Sequence, residues 1–486
     1  MKRWPLASIL LLSACEVGPG YVKPDLPAPP AYAEAASTRR TAISAQDADL
    51  SAWWTQFGDP ELNSLIARAL KDNPDLEAAA SRVRQARAQE HIAAAGLLPE
   101  VIANGAGVKY DSQRNGPTAP ASGSGAGATQ SGLAGLPIPS HETLYSVGFD
   151  ALWEVDIFGG VRRGIEAAKA SAEASEWQRR DGQVSLLAET ANAYLTLRTV
   201  QARIALGQAE LKRQQDLFQL ISARRQHGFV TELDVNQQST QVAAAAAQIP
   251  QLQAAAAAQV HALGVLVGQP PEALAQELGT QSPALPPPPP TLPTGLPSQL
   301  LERRPDVREA ERRLAAANAE IGVQVANLYP KLNLIGLATF ASPHIEDLLS
   351  SQNFSTLGVG AVQAPLFEGG RVKASIAQAK EAREQAFQAY RGAVLGAFRD
   401  VEDALARFKS EDDRRAHLAD AATAAERNLK IAQDQYGAGT VTFINVLQAE
   451  NALLNSRDQL VQSDSQALSD LVSVYKALGG GWSAAG

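Results

Sequence analysis

Few side chains in this sequence are spaced for catalysis. The six histidines, His91, His141, His227, His261, His344 and His417, are scattered, and His141-Glu142 lacks the second histidine of a zinc-binding HExxH. No GxSxG is present to set a serine nucleophile on a strand-to-helix elbow. The one thiol, Cys15, can make neither an intramolecular disulfide nor a Cys-based zinc site by itself. No cofactor and no metal are implied, and the chain does not read as an enzyme.

What Cys15 can do follows from what precedes it. Lys2 and Arg3 stand ahead of an apolar stretch from Leu6 to Leu12, and small Ser13 and Ala14 follow. That order describes a signal peptide over residues 1–14, removed from the mature chain. A Pro-rich segment comes next, so the thiol has no core to pack into. Leu12-Ser13-Ala14-Cys15 resembles the bacterial lipobox, in which the thiol is acylated and the chain is then cut before the cysteine. Several acyl chains anchor stably, each buried methylene contributing about 0.8 kcal/mol. Glu16, rather than Asp, follows the cysteine, so the inner-membrane retention signal is missing and the outer membrane is implied.

Composition narrows the remaining classes. The 486 residues carry 43 basic against 51 acidic side chains, a formal net charge of -8, mixed along the chain, which leaves no electrostatic footprint for nucleic acid. No uninterrupted apolar run reaches the roughly 18 residues a membrane-spanning helix needs. A β-barrel is not excluded, because its strands carry a far weaker hydropathy signal.

The chain repeats itself. GFVTELDV at 228–235 returns as GTVTFINV at 439–446, DIFGGVRR near Phe158 as PLFEGGRVK near Phe367, and LPEV at 98–101 as YPKL at 329–332. The first copy holds extra residues in the Gly-, Ser- and Pro-rich stretch 115–139, which has loop composition. Each half predicts the same order: a helix (60–97; 298–328) closed by Pro99 or Pro330, two strands, a very long helix and a returning helix. The strands fall at about 100–111, 143–156, 331–341 and 354–366. In the second of them Tyr145, Val147, Phe149, Ala151, Trp153 and Val155 alternate with Ser146, Gly148, Asp150, Leu152, Glu154 and Asp156. Leu357, Val359 and Ala361 likewise alternate with Thr356, Gly358 and Gly360. Alternation suits a lipid-facing barrel strand, and equally a half-buried sheet in a globular domain.

The long helices are predicted over 161–226 and 372–436, each about 100 Å at 1.5 Å per residue. Leu186, Thr190, Ala193, Leu197, Val200, Ile204, Gly207 and Leu211 step alternately four and three, a coiled-coil seam. Gly228, and Gly437 with Gly439, are placed at the reversals. The Ala tracts 243–247 and 254–258 favour helix and close approach. Gly159-Gly160 and Gly369-Gly370 stand where strand passes to helix and supply bends rather than a phosphate loop. Four strands cannot close a barrel, and open edges are not tolerated in lipid. Closure therefore calls for an oligomer, of two chains with eight strands or three with twelve; only twelve leaves a lumen.

CEVGPGYVKP after the cleavage site, LLERRPDVREAERRLAAANAEIGVQVANLYPKL at 300–332, PLFEGGRVKA at 365–374 and YGAGTVTFINVLQAE at 436–450 resemble the TolC-like outer-membrane factor lipoproteins of tripartite efflux systems, NodT-type subfamily. The resemblance implies an all-α plus transmembrane β-barrel fold of duplicated helix-strand-strand-helix-helix halves. It implies a homotrimer with a 12-stranded barrel in outer-membrane lipid, continued by a 12-helix periplasmic tunnel. The partners it implies are a periplasmic membrane-fusion adaptor and an inner-membrane RND-type transporter, and the activity is passive export of drugs or other toxic small molecules. The corresponding organisation is 1–14 signal peptide, 15–58 extended anchor segment, 59–270 first repeat, 271–297 Pro-rich linker, 298–478 second repeat and 479–486 tail.

The resemblance also places a gate at the periplasmic tip, where the family holds its closed state with acidic side chains and a tyrosine–arginine network. Tyr436 matches the tyrosine. Val441 stands where the best-known member has the arginine, and Asn445 and Gln448 stand where it has aspartates. A neutral amide constriction is implied, with Glu232 and Asp234 in the equivalent first-half turn as sources of acidity; a plain structural turn is the alternative. The run Glu302, Arg303, Arg304, Asp306, Arg308, Glu309, Glu311 and Arg312 reads as a solvated, salt-bridged helix face or as an inter-subunit contact. A non-conducting coiled-coil lipoprotein, a periplasmic scaffold, is the rival function, although such adaptors carry one hairpin where this chain has two.

Overall fold

The computed structural model describes residues 16–46, 49–111, 141–279 and 285–483; Cys15 and the stretch 115–139 lie outside them. In chain order the elements are β1 (Ala42–Ser44), α1 (Pro60–Asp72), α2 (Pro74–Ala95), β2 (Glu100–Asp111), β3 (His141–Val155), α3 (Gly160–Gln226), α4 (Glu232–Leu266) and α5 (Ala275–Leu278). Then come β4 (Thr291–Pro293), α6 (Pro297–Arg303), α7 (Pro305–Ala326), β5 (Lys331–Ser342), β6 (Phe354–Gln363), α8 (Arg371–Gly437) and α9 (Phe443–Ala477).

Two expected helices are each broken in two. Asn73 (φ -69°, ψ 125°) and Arg304 (φ -74°, ψ 122°) are extended because Pro74 and Pro305 follow them. Proline crowds the residue before it out of the helical region. Asn73 then caps the second piece, its Oδ1 accepting from the N–H groups of Asp75 and Leu76, both at 3.0 Å. β6 stops at Gln363 rather than running to 366, since Pro365 has no N–H to give a ladder.

The chain divides into two compact units that cut across the repeats. One comprises the described residues up to Lys23 with Gln85–Ala172 and Arg313–Ala386. Its centre is a four-stranded antiparallel sheet of order β2-β3-β5-β6. The pairing Ala151↔Gly336↔Gly358 and Trp153↔Leu334↔Gly360 fixes which side chains share a face. On one face lie Val101, Ala103, Phe149, Ala151, Trp153, Leu334, Ala338 and Val362, an apolar run that gives way to Lys109 toward the far end of β2. The other carries Glu100, Asp150, Glu154 and Lys331, and here Lys331 Nζ meets Glu154 at 3.1 Å and Asn104 donates to Asp150. The register puts Thr356, Gly358 and Gly360 on the face of Phe149 and Trp153, and Leu357, Val359 and Ala361 on the face of Asp150 and Glu154.

The second unit comprises Pro24–Arg84, Glu173–Arg312 and the described residues from Phe387 on. Most of the predicted seam is its core: Leu186, Thr190, Leu197, Val200 and Ile204 are buried. Trp53 stacks on Tyr475 (5.0 Å, 15°), and the Tyr475 hydroxyl donates to Gln56 Oε1 at 2.8 Å, so the aromatic end is packed and its polar atom satisfied. The anchor segment and the Pro-rich linker meet in a short parallel pair, β1 with β4.

Candidate functional site: sheet edges and helical turns

Within the first unit, β2 and β6 are the two edge strands of the sheet. Each leaves a row of backbone N–H and C=O groups without a strand partner among the described residues. The largely apolar face is exposed, with Phe149 at 60% and Val362 at 71%. At the β3 to α3 junction Gly159 has φ 80° and Gly160 opens the helix; at the β6 to α8 junction Gly369 and Gly370 have φ 63° and 84°.

The helical turns belong to the second unit. After α3, Gly228 takes φ 76°, its N–H reaches Arg225 O, and the N–H of Phe229 reaches Arg224 O at 3.0 Å. After α8, Gly439 takes φ 73°, with Gly439 N–H to Tyr436 O and Thr440 N–H to Gln435 O at 3.0 Å. This is one helix-ending motif built twice, and its left-handed position favours glycine. Gly437 does not form the turn: it is the last residue of α8.

The predicted gate residues divide in two. Asp234 closes a capping box at the start of α4, its carboxylate accepting from Thr231 N–H at 2.8 Å while Thr231 Oγ accepts from Asp234 N–H. Glu232 pairs with Arg225 at 3.3 Å. Both carboxylates are thus engaged within their own hairpin. In the other turn Asn445 is exposed and takes a hydrogen bond from the Thr442 hydroxyl at 2.9 Å; Gln448 is exposed and Val441 half-buried.

Tyr436 finds an arginine that sequence spacing did not reveal. The Arg224 guanidinium of α3 lies 5.6 Å from its ring centroid, and Phe443 packs against it at 5.6 Å. Phe443, Ile221, Val446 and Leu447 form a buried cluster, with Leu217, Val230 and Val235 against it. The pairing joins residues some 210 apart, and only the meeting of the C-terminal ends of α3 and α8 brings them together. A cation over an aromatic face contributes about 0.5–1 kcal/mol at exposed sites.

Above the turn, polar rungs tie α9 to α3. Gln214 Nε2 donates to Glu450 Oε2 at 3.0 Å and to Glu210, while buried Gln238 donates to Gln214 O at 2.9 Å. Burial pushes the Glu450 carboxyl above its usual range, and the charge of Glu210 adds to the shift. Arg203 grips Asp458 through two bonds at 2.6 and 3.1 Å, and Ser469 donates to Asn192 at 2.9 Å.

The charge run is salt-bridged, as expected, but within it only Glu302 is exposed. Glu311 is 1% exposed and bound by Arg312, which also reaches Glu173 of α3 at 3.1 Å. Arg304 grips Asp306 and reaches Asp400 of α8 at 3.1 Å and Ala477 O at 3.2 Å. The run braces α6 and α7 against the long helices.

A family model described as outer membrane efflux protein matches residues 65–269 and 296–480. The chain belongs to that family. It is 33% identical over 481 residues to the pyoverdine export outer membrane protein OpmQ of Pseudomonas aeruginosa, covering 98% of this chain and 96% of that one. It is 29% identical to nodulation protein T of Rhizobium leguminosarum bv. viciae, over 98% and 92% of the two chains. The solved outer-membrane channel OprN matches with a TM-score of 0.84 at 33% identity, over 96% of this chain and 100% of that one. As an outer membrane efflux protein, the chain has the all-α plus β-barrel fold class read from its sequence, and it acts as an outer-membrane channel of a tripartite efflux system. It sits in the outer membrane of a Gram-negative bacterium and extends into the periplasm. Its relatives are channel and export proteins rather than enzymes, and the scaffold reading falls away.

Proposed function

We propose that three copies of this efflux protein close one barrel by pairing β2 of each with β6 of the next, giving twelve strands around a lumen. The observation that carries this is the pair of sheet edges left without a strand partner among the described residues, flanking an exposed, largely apolar face. Lipid leaves no water to satisfy edge groups, and four strands are too few to close. The charged face, with Glu100, Asp150, Glu154 and Lys331, lines the pore, and the face of Phe149 and Trp153 meets lipid. Native mass spectrometry of the detergent-solubilised protein tests the stoichiometry: three chains are expected, and a stable monomer overturns the reading.

The tip formed by Tyr436, Val441, Asn445 and Gln448 is the periplasmic constriction, opened when a periplasmic adaptor and an inner-membrane RND-type transporter engage it. Exposed Asn445 and Gln448 give it a neutral amide lining, whereas Glu232 and Asp234 serve the structure of the first hairpin. Arg224 takes the arginine role that Val441 cannot fill. Acylated Cys15 anchors the mature chain in outer-membrane lipid, and export of drugs or other toxic small molecules is passive.

A further inference from the structure

The face of the sheet that carries Phe149 and Trp153 has a hollow, lined by uncharged residues, where a barrel surface in lipid should bulge. Gly336, Gly358 and Gly360 fall on that face in neighbouring rows of the ladder, paired with Ala151 and Leu334. The resulting groove has a volume of about 390 Å³, with Trp153 and Leu334 as walls and Pro99 at one end. A Cβ added at Gly358 would meet nothing within 4 Å, and one at Gly360 only Leu334 Cδ2 at 3.6 Å, so backbone packing does not call for these glycines. Glycine inside a strand weakens it, and often marks a place where a ligand approaches closely. Trp153 is held as a fixed wall by its indole N–H, which donates to Leu97 O at 3.1 Å.

Glu16, the first described residue, is held beside the junction through which β3 passes from Trp153 into α3. Val17 N–H donates to Phe158 O and Arg163 Nε to Val17 O, both at 3.2 Å, and Glu16 pairs with Arg163 at 3.3 Å. Glu16 packs so closely on Gly159 that a Cβ there would lie 2.8 Å from Glu16 Cγ. Cys15 is one residue further. From Gly159 back to Trp153 is six residues, at most about 20 Å of chain. Half of a roughly 30 Å hydrocarbon core, the reach of one acyl chain, is about 15 Å.

We propose that an acyl chain carried by Cys15 lies in this glycine-floored groove, so that the anchor is seated on the barrel wall rather than loose in the bilayer. The inference rests on the lipidation of Cys15 proposed above. A bound chain would leave Trp153 and the glycine floor of β5 and β6 covered by the protein's own lipid and would fix the height of the barrel in the membrane.

The test grows cells on a fatty acid with a terminal diazirine, irradiates intact outer membranes, and maps cross-linked peptides of the full protein by mass spectrometry. The expected adduct joins the Cys15 peptide through its acyl chain to peptides holding Trp153, Leu334 or Gly358–Gly360. Filling the floor with Gly358→Leu and Gly360→Leu should lower that adduct about tenfold, the effect of displacing two methylenes at about 0.8 kcal/mol each. The wild-type adduct keeps the test decisive if the double variant does not fold. Groove peptides linked to phospholipid, with the Cys15 chain linked elsewhere, would overturn the seating and leave the anchor intact. A Cys15 peptide that carries no fatty acid would overturn both.

Discussion

The turn at Gly228 and the turn at Gly439 share their backbone, down to the paired 3.0 Å bonds that end α3 and α8, yet their first helical residues do opposite work. In the first, Glu232 is exposed, Asp234 completes a capping box and Phe229 points outward at 79% exposure. At the position matching Glu232, the second turn has Phe443, which is 3% exposed among Ile221, Val446 and Leu447. Duplication supplied one hairpin; substitution gave one tip a capping box and an ion pair at its helix start, and buried the matching residue of the other in a cluster that Val230 and Val235 of the first tip also flank. The gate proposed above would use this asymmetry, with the Phe443 cluster as the contact to be released.

The sharpest way to break the comparison is Phe443→Ala. Losing a buried aromatic costs about 3–5 kcal/mol, so hydrogen exchange in the first turns of α9 should become fast, while Glu232→Ala should leave α4 unchanged. Equal effects in the two would mean that the tips are equivalent. Thr231→Ala should cost about 1 kcal/mol by loss of a capping bond, read as a lower melting temperature. Thr442→Ala should cost less, since no side-chain cap bond to the backbone exists there. Arg224→Ala should remove about 0.5–1 kcal/mol of cation–aromatic attraction and raise the frequency of brief openings in single-channel records.

Asn445→Asp sharpens the comparison by giving the second tip the acid of the first. Stronger block of the pore by divalent cations is expected, and unchanged block would remove Asn445 from the constriction. The smallest effect concerns pH. Glu450 holds its proton more tightly in the folded chain, so its contribution to the α3–α9 seam is full below the ordinary 4.5 and is lost as pH rises through the elevated value. Acidification should therefore slow exchange along α9, and Glu450→Gln should abolish that dependence.

The sequence made legible whatever depends on local pattern. The seam from Leu186 to Leu211, the strand alternation around Phe149 and the left-handed glycines at 228 and 439 follow from periodicity and backbone freedom. The breaks before Pro74 and Pro305 were equally local, and the two prolines share the 231-residue offset of Pro99 and Pro330. Helical patterning on both sides masked them. Long-range partners were not legible. Nothing near Tyr436 announces Arg224, and the burial of Glu311 is decided by α3 rather than by its own helix. The face on which Leu357 and Val359 lie is set by the register with β5, and alternation alone cannot choose between the two faces.

The central claim, a conducting trimer held closed at the Phe443 tip, is tested most directly by single-channel recording in planar bilayers of purified wild-type protein beside Phe443→Ala. Small, infrequent currents are expected from the first, and larger, sustained ones from the second at the same protein concentration. Absence of any conductance from both, in samples that remain folded, would contradict the account.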